Sequence, residues 1–257
     1  MDLSDVKAVV GDAAHMSLQD AATITTFMRD HNVRDVLELG FQNGVSTSYM
    51  ASELHNVDAG HITTIDLLKP ERVGKEPIES FLDDLGLRSR VTIFYEPSSY
   101  NWRLMKMLKE DPEPRFDMCY LDGAHSWAVD GFAFFLVDKL LRPGGWLIMD
   151  DLNWSFATSP TLRNADWVLA LPEDERVIPQ IKRVYEVLVK THEGYDSFRT
   201  EGEWAFARKR PVVPAPVRTV RETVVKREYV GLGGALLTVG GRARRKVARA
   251  RRARAAR

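Results

Sequence analysis

Val36-Leu37-Glu38-Leu39-Gly40-Phe41-Gln42-Asn43-Gly44 is the stretch on which the fold turns. A short apolar run reaches Glu38 and Gly40, and residues 45–54 change to a helical pattern, so the segment reads strand, turn, helix. Gly40 and Gly44 permit a tight turn whose backbone amides approach a ligand with no Cβ in the way. The spacing is E-x-G-x-x-x-G, not G-x-G-x-x-G. Gln42 stands where a dinucleotide site needs its second glycine, which argues against NAD.

Outward from this turn, residues 61–66, 91–95, 116–121 and 145–149 read as further strands, the last entered through Arg142-Pro143-Gly144-Gly145. Helices fit between them, among them 76–85, closed by Gly86, and 128–141. Upstream, Ser17 followed by Asp20 marks a helix start, and Ala21, Ile24, Thr25 and Met28 recur at helical spacing to about Asn32. Residues 179–192 suit a helix, and strands at 195–200 and 204–208 flank Glu201-Gly202 as a hairpin. The alternation predicts an α/β fold: a Rossmann-like, doubly wound, mostly parallel seven-stranded sheet with a C-terminal antiparallel hairpin. Residues 1–210 form that domain; 211–257 form a Pro-containing linker and a basic tail.

Composition narrows the classes. No stretch approaches 18 consecutive apolar residues, and Met1-Asp2-Leu3-Ser4-Asp5 lacks the basic start of a signal peptide, so the expectation is a cytoplasmic protein. A single cysteine, Cys119, excludes an internal disulfide framework and a thiolate metal cluster, and its apolar strand makes it core rather than nucleophile. The net charge of zero hides an asymmetry. From Pro211 onward thirteen Lys/Arg face two acids, a net of +11, which leaves −11 on residues 1–210.

Ligands of parallel sheets bind beyond the carboxyl ends of the strands. Asp66 closes the second strand, 28 positions after Glu38, where a carboxylate can accept hydrogen bonds from both ribose hydroxyls of a nucleoside. With the glycine turn and the terminal hairpin, residues 12–210 resemble class I S-adenosylmethionine-dependent methyltransferases, close to the small-molecule O-methyltransferases that include macrolide and aminocoumarin sugar methylators. The resemblance implies that Gly40 and its turn, through Gly44, hold the methionine portion. It also implies that Glu38 lies beside the amino group, that Asp66 takes the ribose, and that Ser98 belongs to the adenine-side segment. Phe41 departs from the small residue usual after the first glycine.

A second constellation follows. The fourth strand ends Tyr120-Leu121-Asp122-Gly123-Ala124-His125, and the fifth ends Leu147-Ile148-Met149-Asp150-Asp151. If the strands are neighbours, their tips lie about 5 Å apart, and Asp122, Asp150 and Asp151 gather three negative charges at the ligand edge. Such a cluster calls for a cation or protons. Oxygen donors favour a hard divalent ion, Mg²⁺ first, with Mn²⁺ or Ca²⁺ as alternatives. Asp122, beside the glycine turn, counts toward the cofactor as well as the metal. His125 is the expected general base, because an imidazole titrates near neutral pH. In the sugar methylators a D-x-x-H supplies both a metal ligand and the base, whereas the catechol branch uses a lysine with no obvious counterpart here. His125 as a helix cap and Asp150-Asp151 as an ordinary strand end are the plainer readings. Trp127 and Trp154 follow the two acidic motifs and are candidates either for an acceptor-pocket wall or for core.

The expected function is therefore metal-dependent O-methylation of a small hydroxylated acceptor. Two alternatives stay open: a metal-independent methyltransferase acting on RNA or protein, and a non-catalytic nucleotide-binding protein. Against the first, no Asn-Pro-Pro-Tyr-like motif of amino-group methylators is present. The basic run 242–257 has the charge to engage an anionic partner, nucleic acid or membrane, although a solvated tail is the favoured reading. The sequence leaves the acceptor unnamed and the oligomeric state open, with a homo-oligomer among the outcomes. The acceptor's lid is expected at 12–17 and 153–164.

Overall fold

The computed structural model describes residues 1–11, 16–67 and 77–211. The chain divides into two units, Met1–Val213 and Pro214–Arg257, and the fold is that of the first. Most of the 12–17 lid segment, nearly all of the linker and the whole basic tail lie outside the described residues.

The elements run α1 (Leu3–Val10), α2 (Leu18–Asp30), β1 (Asp35–Leu39), α3 (Val45–Asn56), β2 (His61–Leu67), α4 (Pro77–Asp84), β3 (Val91–Glu96), α5 (Tyr100–Glu110), β4 (Phe116–Leu121), α6 (Trp127–Leu140), β5 (Leu141–Met149), α7 (Asp166–Leu169), α8 (Glu173–Val177), α9 (Gln180–Arg183), β6 (Tyr195–Glu201) and β7 (Trp204–Lys209). Ser17 and Asp20 cap α2 reciprocally, as their spacing predicts. Asp2 and Asp5 form the same capping box on α1. Residues 179–192 are not one helix: α9 is a single turn, continued by the π-helical Val184–Val189.

The sheet order is β3-β2-β1-β4-β5-β7-β6. The first five strands are parallel, β7 pairs antiparallel with β5, and β6 with β7. This is the mixed seven-stranded sheet expected from the sequence. Alternate side chains separate two cores. Val36, Met118, Tyr120 and Ile148 join the layer under α1–α4, while Leu37, Cys119, Leu121 and Leu147 join the layer under α5, α6 and α9. Cys119 is buried, as an apolar strand position requires. The chain reverses its winding between β1 and β4, and there a doubly wound sheet opens its ligand crevice. Among the described residues no helix is long and apolar enough to cross a membrane.

Candidate active site

Backbone pairing continues one residue past the strand ends. Gly40 N–H donates to the Ile65 carbonyl, Asp122 N–H to Leu39, and Asp150 N–H to Leu121, at 2.9, 2.9 and 3.0 Å. Gly40, Asp122 and Asp150 therefore follow the tips of three adjacent strands. Gly40 has φ +89°, and a Cβ there would overlap the Asp122 carbonyl oxygen. Only glycine allows the two tips to lie this close. Gly44, also left-handed at φ +86°, starts α3 against Ile78.

Glu38 is fully buried and accepts hydrogen bonds from Ser46 Oγ (2.5 Å), Thr47 Oγ1 (2.5 Å) and Thr64 Oγ1 (2.6 Å). Desolvating a carboxylate costs several kcal/mol. Hydrogen bonds to a charged acceptor return about 1.5–3 kcal/mol each. Burial still dominates, and the pKa rises to about 7. Glu38 thus clamps the glycine turn to α3 and β2. Asp66 stands at the open end of β2, where its Oδ2 accepts the amides of Phe41 (3.0 Å) and Gln42 (2.6 Å). The acid expected at the ribose and the turn expected at the methionine are thereby one assembly. Ser98 is exposed on the bend between β3 and α5.

Across the crevice, His125 Nε2 lies 2.7 Å from Asp151 Oδ2 and 3.3 Å from Asp122 Oδ1. Burial alone would lower the histidine's pKa; hydrogen bonds to Asp122 and Asp151, and their charges, outweigh it and lift the value to about 10. With both carboxylates turned to it, His125 is an imidazolium at neutral pH. Asp150 is placed differently. Its carboxylate accepts the Tyr120 hydroxyl, the Trp204 side chain and the Asp151 amide (2.6 Å). Burial first and the Asp122 charge second raise its pKa to about 7. The structure so brings together Asp122, Asp151 and His125, with Asp150 tied behind them.

His125 (φ +54°) and Asp151 (φ +56°) are left-handed without being glycine, a strain of about 1–3 kcal/mol each that persists only where surroundings impose it. For His125 the imposing group is Tyr100. Gly123 packs on its ring, Ala124 N–H donates to its oxygen at 3.3 Å, and its hydroxyl donates to buried Asp130. Asp130 also accepts Ser126 N–H at 2.7 Å, so the loop is pinned at both ends. Tyr100, Tyr120, Asp130 and Trp204 were not legible as site residues, because they reach the loop only through the tertiary fold. The Ser126 cap three residues before Val129 was the one local signal.

Beyond the histidine an aromatic series runs His125–Trp154–Phe156–Trp167, with ring centroids 4.8, 5.0 and 5.3 Å apart. It leads to a cavity of about 530 Å³ lined by Trp127, Phe156 and Trp167 and by residues of α8 and α9. Trp127 is therefore a wall residue, while Trp154 stacks on His125.

Asp122, His125 and Asp151 each offer one ligand atom, and these lie within 4.8 Å of one another, a spacing that a metal ion can bridge. The two carboxylate oxygens suit a hard divalent ion such as Mg²⁺ or Mn²⁺, and the imidazole beside them is the softer donor.

Residues 37–152, from β1 to just past Asp151, match a family model described as a methyltransferase domain. No curated protein matches the chain. Solved structures do. The O-methyltransferase TomG of Streptomyces achromogenes, involved in tomaymycin synthesis and solved with SAM, is 20% identical over 81% of this chain and 89% of its own, with TM-score 0.57. An O-methyltransferase of Bacillus cereus in complex with SAH is 22% identical over 81% and 90%, with TM-score 0.58. An SAH-bound methyltransferase of Podospora anserina is 18% identical over 81% and 86%, with TM-score 0.55. At these identities the structural likeness establishes the fold.

Proposed function

We propose that this chain is a class I, S-adenosylmethionine-dependent methyltransferase that methylates an oxygen of a small hydroxylated acceptor with a divalent cation held by Asp122 and Asp151. The observation that carries this reading is the pair of half-exposed carboxylates facing one histidine, next to the glycine turn. In this reading Gly40, Gly44 and Glu38 shape the methionine end of the cofactor site, Asp66 turns from the Phe41 and Gln42 amides to the ribose, and Ser98 borders the adenine. Residues 1–210 are the catalytic part and the protein is cytoplasmic. The basic run 242–257 has the charge for an anionic partner but no part in the chemistry.

S-adenosylmethionine supplies an electrophilic methyl group. A hard cation such as Mg²⁺ supplies Lewis acidity that lowers the pKa of a coordinated hydroxyl. The protein's own groups do the rest. Asp122 and Asp151 would hold the ion, and Asp150, fixed by Tyr120 and Trp204, stands behind them as the third acid. With the two carboxylates paired to a cation instead, His125 would give up its Nε2 proton to solvent, and the neutral nitrogen could then take the acceptor's proton. The acceptor oxygen then bonds the methyl carbon as the carbon–sulfur bond breaks, leaving S-adenosylhomocysteine.

One observation favours a metal-independent variant: the imidazolium already offsets part of the charge of the two acids. A single assay separates the two. Release of S-adenosylhomocysteine with a diol acceptor should stop in excess EDTA and return with Mg²⁺ or Mn²⁺. Undiminished turnover in EDTA would remove the cation from the mechanism.

A further inference from the structure

Building on that reading of the acids and His125 as the reacting centre, we propose that the 530 Å³ cavity beside α6 binds the acceptor's flat, aromatic body and that its acidic rim rejects anionic acceptors. Place is the first argument. The near wall is Ser126–Ala128, the residues that follow His125, and Phe156 on another wall is joined to His125 through Trp154. The cavity's lining starts one residue past His125 and does not include Asp122, His125 or Asp151, so a fused-ring acceptor seated there would extend its hydroxyls past Ser126 to reach the carboxylates.

Chemistry is the second. Trp127 and Trp167 are 43% and 53% exposed. Large rings this open to water gain most when a flat apolar partner covers them. The volume falls within the roughly 300–1,000 Å³ usual for small-molecule sites. A sugar would need polar partners all round it, and part of the polar lining is already engaged. Gln180 is committed at both ends, accepting Trp127 N–H at 2.6 Å and donating to the Glu175 carbonyl at 2.8 Å. Arg183 is paired with Glu186 at 2.7 Å. That leaves Asp174 and Glu175 to set the sign of the rim, and they disfavour a carboxylate, sulfonate or phosphate on the acceptor.

The test uses the full chain with S-adenosylhomocysteine and EDTA present, so that binding is read apart from chemistry. Calorimetry compares 2,3-dihydroxynaphthalene, its 6-sulfonate, which carries the same diol and rings, and methyl α-rhamnopyranoside. The neutral naphthalenediol should bind best, and Trp167→Ala should weaken it about tenfold. Phe132→Ser, exposed on α6 and not part of the lining, should leave it unchanged. The sulfonate should bind at least about fivefold more weakly than the neutral diol. It should recover in Asp174→Asn/Glu175→Gln, a gain that misfolding cannot imitate. The proposal is overturned if the wild type binds no naphthalenediol, if Trp167→Ala binds it normally, if the sulfonate matches it, or if the glycoside binds tighter. Binding as expected with no methyl transfer under any metal would sink the catalytic reading and leave the cavity standing. Transfer to the diol, undiminished in Trp167→Ala, would do the reverse.

Discussion

Glu38 on β1 and Asp122 at the tip of β4 lie on neighbouring strands, and their surroundings differ in kind. Glu38 is sealed from water and answered by three hydroxyl groups that cannot leave. Asp122 and its companion Asp151 are half-exposed and answered by one imidazole whose charge is conditional. The first arrangement suits a part that must keep its shape. The second suits a part whose counter-charge can be exchanged for another cation. A buried acid in such a fold is thus a poor guide to chemistry until its partners are known to be fixed or replaceable.

The hardest blow to the fixed side is Gly40→Ala. It forces a Cβ into the Asp122 carbonyl at a φ that alanine resists, and should cost more than about 3 kcal/mol in urea unfolding, with cofactor binding lost in calorimetry. A protein that tolerated the change would show that the two tips are not in firm contact. On the exchangeable side, Asp122→Asn should lower kcat about 10²- to 10⁴-fold while shifting unfolding by no more than about 1 kcal/mol. Loss of stability comparable to that of Gly40→Ala would erase the distinction between the two regions.

The mildest effect is on pH, and it separates the regions by window. Glu38 has a folded pKa of about 7, above its ordinary 4.5, so its contribution to stability is full below pH 4.5 and is lost as the pH rises through 7. His125, raised from 6.5 to about 10, contributes fully below pH 6.5 and loses that contribution on the way to pH 10. Chemical denaturation across pH should therefore show a shallower lower slope in Glu38→Gln, the remainder belonging to Asp150, which is also raised to about 7, and should lose its upper slope in His125→Ala. If either variant flattened both windows, the two sites would be titrating as one.

Much of this was readable in the chain. Strands of a parallel sheet are buried on both faces, so β1, β4 and β5 announce themselves as apolar runs, and their last residues necessarily meet at the crevice. The motif Asp122-Gly123-Ala124-His125 and the pair Asp150-Asp151 could be placed there from sequence alone. What could not be read was the direction of each carboxylate. Asp150 and Asp151 are adjacent, yet one turns back to Tyr120 and Trp204 while left-handed backbone swings the other to His125. Trp204 is 54 residues from Asp150 in the chain and reaches it only because β7 lies beside β5. Nor did local pattern reveal Phe156 and Trp167, which meet His125's neighbourhood through a stretch with little regular structure.

The backbone of Gly40 rests against the carbonyl of Asp122 with no room for one more carbon atom. The glycine turn after β1 and the acidic loop after β4 are therefore in direct backbone contact. The absence of a side chain at position 40 is what sets the separation of the two strand tips.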